Sequence, residues 1–246
     1  MWLYMLPVVE PVYGALRATL VVPLRVAMQW TVEGAHRIPV RGPVILASNH
    51  VSYLDPLVLG CLADRRHRRV RFLAKRELFE KPVRGAVLRQ AHQIPVARDT
   101  ADAAASLDAA VAALTAGECI GVFPEGTISL DLEPMAGKTG TARLAAATGV
   151  PVTPVGLWGA QRILFKGRKP RWRWGVAESV VVGDPVHVAA DDDARAGTDR
   201  IMRAITDCVT VARARYPQRP APGEGDWWVR GPTTVAARPP GGPATP

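Results

Sequence analysis

Short apolar runs alternate with longer amphipathic ones along most of this chain. Apolar runs bounded by turn residues predict buried strands at Val44–Ala47, Val70–Ala74, Gln93–Val96, Cys119–Phe123 and Val152–Leu157, with one or two more over Trp172–Val182. Helical periodicity falls between them, over Pro56–Leu62, Glu77–Ala91 (interrupted at Pro82), Ala101–Ala116, Lys138–Thr148 and Ala194–Tyr216. Within Ala101–Ala116, Leu107, Val111 and Leu114 share one face and Gly117 marks the stop, as Gly149 does after Thr148. Strands separated by helices predict an α/β fold: a single domain with a mostly parallel central sheet flanked by helices. Ligands of such sheets gather beyond the carboxyl ends of the strands, which is where candidate chemistry is sought.

The two ends of the chain break this rhythm. Residues 1–32 carry Trp2, Tyr4, Tyr13 and Trp30 with Arg17 and Arg25, and read as an amphipathic helical segment suited to a membrane surface. The apolar run Ala18–Leu24 is interrupted by Pro23 and falls short of the roughly 20 residues a span needs. The first residues lack a basic flank and read as no signal peptide. Residues 217–246 hold 8 of the 22 prolines and read as a disordered tail, with Trp227-Trp228 as a local anchor. The expected organisation is a membrane-contact segment over 1–32, a catalytic-size domain over 33–216 and a tail over 217–246.

Composition adds one piece of information. The 246 residues hold 31 Lys+Arg against 22 Asp+Glu, a net charge of +9, which predicts attraction to polyanions. Arginine outnumbers lysine 26 to 5, a bias that base composition of a genome can also produce. The three cysteines (Cys61, Cys119, Cys208) form no CxxC pair, so neither a disulfide scaffold nor a zinc ribbon is predicted. The basic–aromatic run Arg162–Trp174 suits an anionic membrane interface or a solvated strand face equally well. The run Arg65–Arg69 reads as a solvated helix end or loop.

Two segments at predicted strand ends carry chemistry. Asn49-His50-Val51-Ser52-Tyr53-Leu54-Asp55-Pro56 follows the first strand, with Asp55 read as the cap of a helix opened by Pro56. In a loop that folds back, the Asp55 carboxylate meets one imidazole nitrogen of His50 and leaves the other as a general base; a helix cap beside an unremarkable histidine accounts for the same spacing. Phe123-Pro124-Glu125-Gly126-Thr127 follows a later strand, where Glu125 lies on a tight turn. Lys75, Arg98 and Lys138 each follow a strand or sit near a helix start, and are candidates to hold a phosphate. Gly137-Lys138-Thr139 lacks the upstream glycine of a phosphate-binding loop, since position 132 is Leu132, and neither GxSxG nor GxGxxG occurs.

Taken together, these blocks resemble the glycerolipid acyltransferases. Asn49-His50-x-Ser52-x-x-Asp55 is similar to their NHxSxxD signature, and Phe123–Thr127 to their FPEGT block. Ile94-Pro95-Val96-x-Arg98 resembles the middle block and Val150-Pro151-Val152-Thr153-Pro154-Val155 the final one. The resemblance runs from about residue 33 to 190 and is nearest to the lysophosphatidate acyltransferases. It implies transfer of an acyl group from acyl-CoA or acyl carrier protein to the free hydroxyl of 1-acyl-glycerol-3-phosphate. His50 would be the base and Asp55 its orienting partner. Asn49, Ser52, Lys75, Arg98, Glu125, Gly126, Thr127 and Lys138 would form the substrate site. No metal and no further cofactor are implied.

The implied setting is the cytoplasmic face of the cell membrane, as a peripheral or monotopic protein on an anionic surface. Ile128 departs from the family pattern, which often has an arginine there for the substrate phosphate. The acceptor therefore stays open between lysophosphatidate and glycerol-3-phosphate or another lysolipid. A non-enzymatic basic module binding lipid or nucleic acid is the remaining alternative, though no helix-turn-helix or RNA-binding signature supports specific nucleic-acid recognition.

Overall fold

The computed structural model describes residues 11–96, 100–223 and 225–230. Seven strands form one sheet: β1 (Met28–Glu33), β2 (Val44–Ser48), β3 (Val70–Lys75), β4 (Ile94–Val96), β5 (Cys119–Val122), β6 (Val152–Trp158) and β7 (Val176–Val182), in the order β1-β7-β6-β2-β5-β3-β4. Every pairing is parallel except β6–β7. The carboxyl ends of β2, β3, β4, β5 and β6 therefore share one edge. The parallel α/β expectation holds, with one antiparallel junction toward the β1 side.

Strand β2 shows why the sheet is buried on both faces. Val44 and Leu46 point into one apolar cluster, Ile45 and Ala47 into the other, and all four are 2% exposed or less. The first face is covered by α3 (Asp55–Asp64) through Val58, Leu59 and Leu62. The second is covered by α5 (Thr100–Thr115), α6 (Gly140–Thr148) and α7 (Ala194–Ala214). Helix α7 places Ile201, Met202, Ile205 and Val209 on one stripe, and each such burial contributes about 2 kcal/mol. Gly156 lets α7 approach β6: a Cβ there would stand 2.3 Å from the Cys208 carbonyl carbon.

The N-terminal expectation is corrected in two respects. Residues 11–27 are helical (α1, Pro11–Leu16; a π turn, Arg17–Val21; α2, Val22–Ala27), but Met28–Glu33 is the edge strand β1 paired to β7. Trp30 thus belongs to the sheet. Pro23 lacks an N–H and its ring crowds the preceding turn, which accounts for the π register just before it. Arg17 and Arg25, expected to reach headgroups, instead bind Asp64 at 2.6 and 2.9 Å and hold this segment on α3. These ion pairs, with burial opposing them, keep the Asp64 carboxyl below its ordinary range.

Other boundaries shift as well. The helix expected over Glu77–Ala91 is α4 (Pro82–Gln90) preceded by a short 3-10 turn at Arg76–Leu78, because Pro82 opens a helix more readily than it continues one. Residues 166–174 are an exposed loop and only Val176–Val182 is strand. Within the arginine run expected to be solvated, Arg68 is 7% exposed and donates to the carbonyls of Pro39, Gly42 and Gly117. In the expected tail, Trp227–Arg230 forms a short helix, α8. Its Trp228 is 1% exposed, edge-on to Tyr216 and 4.0 Å below the Arg162 guanidinium. A large aromatic surface with a cation to cover offsets the entropy of ordering that stretch.

Candidate active site

The site begins where β2 ends. The β2–β6 ladder pairs Ser48 with Val155, and Asn49 extends it with its side chain: Nδ2 donates to the Leu157 carbonyl (3.1 Å) and Oδ1 accepts from the Leu157 N–H (2.8 Å). Asn49 is fully buried and shapes the loop, rather than facing a substrate. Ser52 is likewise internal. Its hydroxyl is 2.7 Å from the Leu164 carbonyl and accepts from the Leu54 N–H. Both residues were expected in the substrate site; both are committed to backbone.

Between them the chain doubles back. Helix α3 starts at Asp55, with Leu54 as its cap, so Asp55 is not the helix cap the sequence suggested. Its carboxylate points into the loop, where Oδ2 accepts from the Val51 N–H (2.7 Å) and the Ser52 N–H (2.7 Å) and lies 2.8 Å from His50 Nδ1. A fully buried carboxylate at that distance fixes the proton on Nδ1 and turns the Nε2 lone pair outward. Nε2 has no hydrogen-bond partner among the described residues, and the His50 side chain is 16% exposed.

The segment after β5 clamps the same histidine. The imidazole stacks on Phe123 with centroids 4.2 Å apart, and Phe123 stacks in turn on Phe72 at 6.2 Å. The His50 N–H donates to Glu125 Oε1 (2.9 Å), and the Ser129 N–H donates to the His50 carbonyl (2.8 Å). Glu125 Oε2 accepts from the Met135 N–H (3.2 Å). Glu125 is thus a tie between His50 and the Pro134–Ala136 segment. Burial pushes its carboxyl up to about 7, against the pull of those two N–H groups, with the Asp55 and Asp131 charges adding to the rise.

The candidate cations fall unevenly. Gly126 has φ +72°, and a Cβ there would lie 3.1 Å from Lys138 Cε and 3.2 Å from Nζ, so the Lys138 amine rests over the turn that carries Glu125. Its backbone N–H donates to the Pro124 carbonyl (2.9 Å); α6 itself starts at Gly140, so Lys138 precedes the helix it was expected to open. Thr127 is exposed beside it, whereas Ile128 is buried and presents no cation. Lys75 ends β3 on the same sheet edge and is exposed. Arg98 lies outside the described residues. Phe123 was read only as part of a block; its place at a strand end before Pro-Glu-Gly was the signal that it walls the histidine.

The chain is similar to known acyltransferases in both sequence and fold. The acyltransferase family profile matches residues 29–158, more than half of the chain. The chain is similar to the 1-acyl-sn-glycerol-3-phosphate acyltransferase of Bacillus subtilis, with 26% identity over 72% of this chain and 83% of that protein. It is similar to the lyso-ornithine lipid O-acyltransferase of Rhizobium meliloti, with 34% identity over 48% of this chain and 38% of that one. It spans less than half the length of the chloroplast relatives it matches. The crystal structure of the 1-acyl-sn-glycerophosphate acyltransferase PlsC from Thermotoga maritima shares the fold, with TM-score 0.67 and 24% identity, over 85% of this chain and 83% of that one. With the histidine–aspartate pair and the glutamate turn held at one edge of the shared sheet, the chain belongs to the acyltransferase family and is an O-acyltransferase.

Proposed function

We propose that this enzyme moves a fatty acyl group from a thioester, acyl-CoA or acyl carrier protein, to the free hydroxyl of 1-acyl-glycerol-3-phosphate, giving phosphatidic acid. The observation that carries the reading is the Asp55–His50 pair, with Nδ1 bound and Nε2 turned outward at the strand edge. His50 Nε2 takes the proton of the acceptor hydroxyl as its oxygen attacks the thioester carbonyl carbon. The tetrahedral intermediate then expels the thiolate, which receives that proton back from the imidazolium. Asp55 stabilises the imidazolium between the two steps. Lys138 and Lys75 hold the acceptor phosphate by charge, and the resemblance of the Ile94–Arg98 block adds Arg98 as a further candidate.

The substrates live in a bilayer, and the surface near the site suits one. Tyr53 (54% exposed), Val26 (63%), Trp172 (68%) and Trp174 (78%) are exposed. They are linked through the chain: the Tyr53 N–H donates to the Leu164 carbonyl, the Arg171 N–H to Ile163, and the Gly175 N–H to Ala27. Arg171 and Arg173 alternate with Trp172 and Trp174, and Lys166, Arg168 and Lys169 precede them. No helix among the described residues is long and apolar enough to cross a membrane. We accordingly place the enzyme on the cytoplasmic face of an anionic membrane, as a peripheral or monotopic protein.

Thioester consumption with lysophosphatidate in anionic vesicles, wild type against His50→Ala, tests the chemistry. Equal rates would remove His50 as the base. A second reading changes only the acceptor: buried Ile128 puts no cation where the family often has arginine. Glycerol-3-phosphate or another lysolipid then replaces lysophosphatidate, and an acceptor panel read by lipid mass spectrometry decides between the two.

A further inference from the structure

Behind the dyad the structure holds a carboxylate that the reaction scheme does not use. Glu178 sits in β7 between Val176 and Val180, on the sheet face covered by α3, and is fully buried. Gly159 follows β6 beside it with φ +144°. A Cβ at Gly159 would meet the Ala177 carbonyl oxygen at 2.1 Å and Glu178 Oε2 at 2.7 Å, so the chain closes over Glu178 only because that residue is glycine.

Several side-chain polar atoms there are unpaired. Both Glu178 carboxyl oxygens, Asp55 Oδ1 and Trp30 Nε1 are buried with no hydrogen-bond partner, and Trp30 stands opposite Glu178 in the β1–β7 register. Ionised, Glu178 would draw on the Trp30 indole N–H and the N–H groups of Trp158 and Ala160 and would offer no donor to Asp55 Oδ1. A proton on Glu178 supplies that donor. The groups facing Glu178 favour that proton. Helix α3 brings the Asp55 charge and the Cys61 thiol, β1 brings the neutral Trp30 indole, and the N–H groups of Trp158 and Ala160 offset the burial only in part.

We propose that Glu178 is a positioning residue: as a neutral carboxylic acid it donates to Asp55 Oδ1, directly or through one buried water, and holds the plane of the carboxylate whose Oδ2 orients His50. Oδ2 already receives three donors, so the free oxygen is where the orientation of Asp55 is otherwise undetermined. The role rests on the dyad reading above.

The experiment compares wild type with Glu178→Gln, Glu178→Leu and His50→Ala, using thioester consumption over a range of pH, thermal melting and infrared difference spectra. Glu178→Gln keeps a neutral N–H donor and is expected to retain most of kcat with the acid limb of the pH profile unmoved. Glu178→Leu is expected to lower kcat about tenfold, the scale of one lost hydrogen bond, with KM little changed. The spectrum of wild type minus Glu178→Gln near neutral pH should show a carboxylic-acid C=O band. Wild-type kcat in a folded Glu178→Leu, a shifted acid limb in Glu178→Gln, or no such band overturns the proposal. Should Glu178→Leu fail to fold, the band and the Glu178→Gln profile still decide. Full activity in His50→Ala instead refutes the dyad and leaves the band, and so the protonation of Glu178, standing separately.

Discussion

Replacing Asp55 by asparagine isolates the charge of the dyad from its shape. Asparagine is isosteric, and its Oδ1 can take the place of Oδ2 as acceptor for the Val51 and Ser52 N–H groups, so the loop has little reason to unfold. What disappears is the negative charge 2.8 Å from His50 Nδ1, which acts only while the imidazole carries the acceptor's proton. At an effective dielectric of about 20, unit charges about 4 Å apart attract by roughly 4 kcal/mol. His50 is 16% exposed, so solvent screens part of that, and we take about 2–4 kcal/mol for the transition state. At 1.36 kcal/mol per decade this is about a 30- to 1,000-fold fall in kcat. The assay is thioester consumption under saturating acceptor, with a melting curve for each protein. A loss smaller than about threefold in a variant that melts like wild type would refute the argument that Asp55 acts through charge.

Four further outcomes are expected. Burial raises the Glu125 carboxyl in the folded state to about 7 from its ordinary 4.5, so the folded protein keeps a proton the unfolded chain has lost. Stability should therefore fall as pH rises between these values, by about 3 kcal/mol in total, and Glu125→Gln should flatten Tm against pH across that window. Burial raises the thiols of Cys61 and Cys119 to about 12 and of Cys208 to about 11, so thiol reagents at pH 8 should label none of the three until denaturant is added. Arg68→Ala strands the Pro39, Gly42 and Gly117 carbonyls and should cost about 3 kcal/mol in a denaturant melt, with Arg68→Lys recovering part of it. Gly126→Ala places a Cβ against Lys138 and should raise KM for a phosphorylated acceptor more than it lowers kcat; an equal effect on both would separate Lys138 from phosphate binding.

The parallel α/β architecture was legible in the chain alone, because short apolar runs between helical periods have few other ways to be buried. The sequence also marked the two loops that hold the candidate chemistry, since both follow strands directly and both hold residue types suited to proton transfer or anchoring. It did not reveal β1: MQWTVE follows a helical stretch without a turn signal, and only pairing with β7 makes it a strand. Nor did it show that Asn49, Ser52 and Glu125 spend their polar atoms on the backbone of Leu157, Leu164, His50 and Met135. Asn49 and Ser52 bond more than a hundred positions along the chain, and Glu125 reaches back 75 to His50, so local spacing carries little trace of these ties. Arg17, Arg25 and Arg68 looked like surface charge by composition, and the fold gave each a carboxylate or carbonyls. Glu178 lies in an apolar strand, and only the fold brings the Gly159 turn against its carboxylate. Which polar groups meet was set by the folded arrangement, because a hydrogen bond requires its partners within about 3 Å, and chain order does not set that distance.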